Sequence, residues 1–212
     1  MCNTQDLRLF SNQIGDVGMQ AFASAVASGA MANCKELMLY GNQIGDASME
    51  AFASALASGA MALTVLHLGG NQITDDGFAI LMPLLKKDGK LSGLTQFGIG
   101  SGISDKGMKE FADILSMGAL ASLTTLVLWE NAIDDDGMKA LADACASGAL
   151  ASLEKLFLND NGIGDEGMSA LAKAVTPDKD GKGALASLEM VELSGNPGDS
   201  APVDKALRER QK

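Results

Sequence analysis

Apolar residues follow two rhythms along this chain, and the two alternate every 29 or 30 residues in most copies. The first rhythm has period two. It appears as an apolar pair around one free position at Leu7/Leu9, Leu37/Leu39, Leu66/Leu68, Phe97/Ile99, Leu126/Leu128, Leu156/Leu158 and Val191/Leu193. Such alternation predicts a short strand with one face inward. The second rhythm has spacings of three and four, as at Met19, Phe22, Ala25 and Val26. That is the inward stripe of an amphipathic helix, and Gly29 is placed to stop it. Each copy therefore reads as strand, turn, helix and loop. Because a helix separates consecutive strands, the strands lie parallel.

Tandem copies of one such unit predict a solenoid. Strands pack ~4.8 Å apart and helices ~8–10 Å apart, so the stack bends with its strands inside, by roughly 25° per repeat. The spacing predicts six full repeats, a truncated seventh, and a charged helix over Ser200 to Arg208 with Pro202 in its first turn. Val203 and Leu207 would face inward there, closing residues 1–212 as a single domain.

Fixed polar columns run through the copies. Asn stands at 12, 42, 71, 131, 161 and 196, and Asp at 16, 46, 75, 105, 135 and 165. Asn suits the turn after a strand, where its side chain bonds nearby backbone. Asp suits a helix start, where its carboxylate accepts backbone N–H groups and faces the positive end of the dipole. The Met column (19, 49, 108, 138, 168) reads as core. Asp76, Asp134, Asp136 and Glu166 are not needed as caps, and they make one rim acidic.

The string Leu-x-Leu-x-x-Asn-x-Ile-Gly-Asp-x-Gly, as at residues 156–167, resembles the leucine-rich repeats of the ribonuclease-inhibitor type. The resemblance covers nearly the whole chain. It implies an α/β horseshoe with a parallel sheet on its concave face and helices on its convex face. It implies no single activity, because that family includes enzyme inhibitors, GTPase activators, immune-receptor sensing domains and actin-capping proteins.

Composition narrows the function. A net charge of −11 leaves no basic patch for nucleic acid or an anionic membrane, and a basic protein surface is the natural complement. No run approaches the ~18 apolar residues of a membrane span. Among three cysteines, Cys34 and Cys145 fall at apolar columns and read as small core hydrophobes. An odd count with two buried argues for the cytoplasm or another reducing compartment. No cofactor or metal is expected. The single histidine, His67, cannot form a His-rich site and has no nucleophile beside it. The segment Asp178 to Gly183 has a calcium-loop flavour, but Ser187 stands where the bidentate Glu is needed. Nothing in the chain reads as an enzyme.

Function is therefore expected on the concave face, at the positions the repeat leaves free. Residues between and just after the paired apolar positions point away from the core. The only Tyr and only Trp lie there, with two of the seven Phe. The candidate partner-binding residues are Arg8, Phe10, Met38, Tyr40, His67, Val127, Trp129, Glu130, Phe157 and Asn159. They read as two clusters, with Gly69, Gly70, Gly98 and Gly100 leaving bare sheet between them. The fourth copy is one residue short and has Gly102 where Asn is expected, which predicts a looser turn. No cap is visible before the first strand, whose edge is open to pairing, including with a second copy. The sequence thus supports a non-enzymatic protein-binding module. A GTPase activator or enzyme inhibitor, or a structural subunit of a larger assembly, are the alternatives.

Overall fold

The computed structural model describes residues 5–176 and 184–210. The strands are β1 (Asp6–Arg8), β2 (Glu36–Met38), β3 (Val65–His67), β4 (Gln96–Gly98), β5 (Thr125–Val127), β6 (Lys155–Phe157) and β7 (Met190–Glu192). They alternate with α1 (Asp16–Ala27), α2 (Asp46–Ala57), α3 (Asp75–Leu85), α4 (Asp105–Ser116), α5 (Asp135–Ala146), α6 (Asp165–Val175) and α7 (Ala201–Arg210). All seven strands form one parallel sheet in chain order. The calcium-like segment at 178–183 lies outside the described residues. No helix among the described residues is long and apolar enough to cross a membrane.

The first member of each apolar pair sits at the centre of its strand, and the register lines up Leu7, Leu37, Leu66, Phe97, Leu126, Leu156 and Val191. The second member follows the strand, and its N–H continues the ladder, as Leu9 does to the Met38 carbonyl at 2.8 Å. The core lies between sheet and helices. The Met column is closed to solvent, from Met19 to Met168. Phe78, Phe97 and Phe111 form a packed trio with ring centroids 5.3–6.2 Å apart. Each such side chain contributes ~1.5–3 kcal/mol when fully buried.

Two core expectations change. In α1 the buried stripe is Met19, Ala23 and Val26, with Ala23 deeper than Ala25. Phe22 is only half-buried, whereas Phe52 and Phe111 are closed to solvent. No helix precedes α1 among the described residues, so Phe22 packs on one side only.

The polar columns join repeats. Asn42 donates to the Leu39 carbonyl of its own repeat at 2.8 Å and to the Leu9 carbonyl of the preceding one at 2.9 Å. Its oxygen accepts the N–H of Ile14 at 3.1 Å. Asn71, Asn131, Asn161 and Asn196 repeat this three-way bond. Each buried backbone group satisfied this way avoids ~1–3 kcal/mol of desolvation cost.

The Asp column corrects the expectation that each carboxylate serves its own helix. Asp is the first residue of α1 to α6, and its carboxylate reaches forward to the next repeat. Asp16 accepts the Gly45 N–H at 2.8 Å, and Asp46 accepts the Thr74 N–H at 2.8 Å and its hydroxyl at 2.6 Å. Asp75 accepts from Ser104, Asp105 from Asp134 and Gly137, Asp135 from Gly164 and Gly167, and Asp165 from Asp199. This explains the Gly two places after the Asp. A Cβ at Gly107 or Gly137 would lie 2.3 or 2.4 Å from the preceding repeat's carboxylate.

Asp134 is a cap after all. It precedes α5, and its side chain accepts the Asp136 N–H at 3.0 Å, as Thr74 and Ser104 do for α3 and α4. A carboxylate in place of a hydroxyl brings it against Asp105. Burial and the Asp134 contact hold the Asp105 carboxyl above its ordinary pKa, while the hydrogen bond from Asp105 lowers that of Asp134. A proton shared by the pair therefore resides on Asp105.

The fourth turn is tight where looseness was expected. A Cβ at Gly102 would stand 2.4 Å from the Ile73 carbonyl oxygen, and one at Gly100 would stand 2.6 Å from that of Trp129. With one residue missing, the turn closes backbone against backbone, and only glycine permits that approach. At the other end of the stack, α7 lies on α6 and buries Val203 and Ala206, with Leu207 half-buried beside them. Asp199 accepts the Ala201 N–H at 2.9 Å.

Candidate functional site

Period-two alternation sends the residues flanking the central apolar position of each strand to the outer face of the sheet. Over β2 to β6 these residues enclose a groove of about 520 Å³. Tyr40, Val127, Trp129 and Phe157 supply its apolar wall, and Gly69 and Gly98 lie at its floor. His67, Gln96, Thr125, Lys155 and Asn159 supply polar groups.

Six of the ten expected residues meet in this groove: Tyr40, His67, Val127, Trp129, Phe157 and Asn159. Val127 was expected to be exposed, but it is only 9% accessible and serves as wall rather than anchor. The other four lie outside it. Phe10 stacks on Tyr40 with centroids 4.6 Å apart and planes 3° from parallel, extending the aromatic surface toward β1. Arg8 is exposed and paired with Asp6 at 2.7 Å. Met38 is half-buried, and Glu130 is exposed beyond Trp129.

The two expected clusters are one surface. The glycines between them are not bare, because the Trp129 ring lies over Gly69, 3.6 Å from where a Cβ would stand. Gly98 is covered by the His67 ring and Val127. The glycines thus form a seat that holds the indole close to the backbone, a use opposite to the open approach expected of them. A Cβ at Gly98 would press on the His67 ring at 3.0 Å, whereas one at Gly69 would only touch the indole at van der Waals distance, so the floor tolerates little more than a methyl group.

Gln96, Thr125 and Lys155 were missed. They open their strands and share a face with Gly98, Val127 and Phe157 two places later. Period two applies before the apolar pair as well as within it, so the signal was present.

His67 is the groove's one imidazole. Its Nε2 is buried with no partner among the described residues. Burial pushes its pKa below the ordinary value, partly opposed by the Gln96 side chain. At neutral pH it is an uncharged donor and acceptor. The described groove lining contains no Asp, Glu, Ser or Cys, and no group of three or more His, Cys, Asp or Glu able to hold a metal ion occurs among the described residues. Burial drives the Cys145 thiol up to about 12, so it is protonated and packs as a hydrophobe.

The outer rim is acidic. Glu130 and Asp160 occupy successive repeats at a turn position with positive φ, 53° and 56°, where Gly41, Gly70 and Gly195 stand in other copies. Glu192 is also exposed, and its pKa is lowered mainly by its hydrogen bond with Ser194.

A parallel one-sheet solenoid with an Asn turn ladder, helices behind, and a groove on its strand face defines a leucine-rich-repeat architecture. The family profile described as leucine rich repeat matches residues 5–23, 60–78, 119–142 and 149–172. Among solved structures, an internalin from Listeria monocytogenes str. 4b F2365 is similar at 22% identity with a TM-score of 0.45. That likeness covers 86% of this chain and 48% of the internalin, so this chain spans about half the length of that structure. No curated protein matches the sequence. The matched stretches are similar to leucine-rich repeats, and the fold is that of an α/β leucine-rich-repeat solenoid.

Proposed function

We propose that this chain is a non-enzymatic module that holds a protein partner on its concave sheet face. The observation that carries the reading is the single groove over β2 to β6, walled by Tyr40, Trp129 and Phe157 and backed by a rigid ladder of strands. Partly exposed aromatics on a preformed surface act as anchors, because they bring large contact area at little entropic cost. Leucine-rich repeats generally mediate protein–protein contact, which supports the class. Full helices between the strands favour the ribonuclease-inhibitor type of repeat.

The partner presents a basic surface. Glu130 and Asp160 beside Trp129 form no ion pair among the described residues, and the chain carries a net charge of −11. Such a rim raises the encounter rate with a cationic surface more than it tightens the final complex. Buried Cys34 and Cys145 suit a reducing compartment.

The test is capture from the native source by full-length protein, read by mass spectrometry, beside the Tyr40→Ala/Trp129→Ala double variant. The variant is expected to retain its circular dichroism spectrum and lose the captured partner. Undiminished capture by the folded double variant overturns the concave-face assignment.

A further inference from the structure

The groove and its rim carry opposite charge. Glu130 and Asp160 stand on the turn side of the strands, outside the groove lining. The lining itself holds no carboxylate, and at neutral pH Lys155 is its one formal charge. Lys155 opens β6, beside Thr125 of β5 and two places before Phe157 on the same face. It is exposed, and its ammonium has no ion pair or hydrogen bond among the described residues. Glu154 precedes it, and Glu189 precedes its strand partner Met190, yet neither lines the groove or pairs with it.

The uncommitted polar groups of the groove share that bias. An ammonium and an indole N–H can only donate. Neither Lys155 Nζ nor Trp129 Nε1 has an acceptor among the described residues, and the Thr125 hydroxyl is also unbonded there. The carbonyls of the floor are engaged: those of Gly98, Val127 and Phe157 accept the N–H groups of Leu68, Ile99 and Leu128 at 2.7, 3.0 and 2.8 Å. Asn159 is tied to Asp160 on the turn side at 2.8 Å. Unused donors, one of them cationic, thus border an apolar wall.

We infer that the partner segment entering the groove carries a carboxylate beside an apolar side chain, the carboxylate pairing with Lys155 and the apolar group lying on Phe157 and Trp129. This rests on the concave-face reading above and gives it a direction. The strand-opening side takes acid, and the turn side, at Glu130 and Asp160, takes base. Lys155 and Asp160 are five residues apart, at most ~17 Å of extended chain, so one short segment with acid, apolar and basic groups in order spans both. A partner surface that is basic throughout would meet the rim but set like charge against Lys155.

Trp129 is the only Trp, so the full chain labelled with nitrogen-15 gives one indole N–H resonance to follow. The probes are 3-phenylpropionate, 3-phenylpropionamide and 3-phenylpropylammonium, which present one ring with a negative, neutral or positive head. At low salt the carboxylate is expected to bind about fivefold more tightly than the amide, and the ammonium most weakly, with the difference shrinking as salt rises. Lys155→Met should equalise carboxylate and amide, and Lys155→Glu should reverse the order, both with unchanged circular dichroism. Equal binding of carboxylate and amide by the parent, a preference retained in Lys155→Met, or an indole resonance that no probe moves overturns the inference. So does a parent mass, by light scattering, that falls on adding 3-phenylpropionate, since a second copy then fills the groove. Partner capture separates this inference from the reading beneath it. Capture kept by Lys155→Glu but lost by Tyr40→Ala/Trp129→Ala removes the inference alone, and capture kept by both removes the concave-face reading as well.

Discussion

The junction between the third and fourth repeats and that between the fifth and sixth perform the same task by different means. At the fifth–sixth junction Asn161 bonds the Leu128 and Leu158 carbonyls and the Ile133 N–H. Glu130 and Gly162 add backbone bonds to Asn159 and Ile133, and Asp135 accepts two amides. At the third–fourth junction no Asn is present, and Gly70 and Gly102 make no equivalent backbone bonds. The Asp75 bonds to Ser104 remain, and α3 and α4 touch least of all consecutive helices. The scaffold can lose its Asn lock if its backbones draw close enough, but it keeps the Asp lock throughout. The junction that departs from the rule is also the one whose floor seats Trp129.

The largest effect is expected from Asn161→Ala, which strands the Ile133 N–H and two carbonyls in a buried site and should cost about 3 kcal/mol. Asn12→Ala, at an exposed turn, should cost little. Equal losses in urea denaturation would show that the ladder is not the source of junction strength.

Next is the pair of equivalent glycines. Gly102→Ala places a Cβ 2.4 Å from the Ile73 oxygen, and Gly162→Ala places one 3.4 Å from the Ile133 oxygen. The first should destabilise by about 2 kcal/mol, and the second by a small fraction of that. Matching urea midpoints for the two variants would refute close backbone approach as the device of the fourth repeat. Trp129 fluorescence, from the chain's only Trp, should change in the first variant alone.

The smallest effect concerns the fourth–fifth junction, where the Asp lock meets a second carboxylate. Asp134→Thr keeps a cap of the kind Thr74 provides and removes the charge facing Asp105. A raised carboxyl pKa in the folded state favours folding while the group is protonated, and that advantage is lost as pH rises through the folded value. The variant should therefore be slightly more stable than the parent at neutral pH. The gain should vanish below the ordinary Asp pKa of 3.8, where the parent pair is no longer charged. The lowered pKa of Asp134 acts in the opposite sense, stabilising at higher pH and failing as pH falls through its folded value, which keeps the net change small. A downward move of the Asp105 pKa by NMR titration is the direct check, and an unmoved value would show that burial alone raises it.

The repeat architecture was legible because it follows from local spacing. Leu-x-Leu, the helical stripe and the stopping glycine each act within a few residues, and tandem copies force them into register. The concave face was legible as a face, since alternation alone sends Tyr40, Trp129 and Phe157 outward. Three features were not. The forward reach of each Asp to the next repeat depends on how far consecutive helix starts are offset. The role of Asp134 as a cap depends on backbone angles that Asp, Thr and Gly all accept at that place. The seating of Trp129 on Gly69 depends on an indole reaching across a neighbouring repeat.

From sequence alone came the repeated unit, its parallel order, its core columns and the side of the sheet on which chemistry is free to vary, because period and hydrophobicity are properties of neighbouring residues. The stacking of repeats in space sets which repeat each polar side chain serves, which glycines are seats rather than gaps, and the joining of the two aromatic clusters into one groove. Those outcomes turn on distances between residues roughly 30 or 60 positions apart, and such distances are set by the stacking of whole repeats.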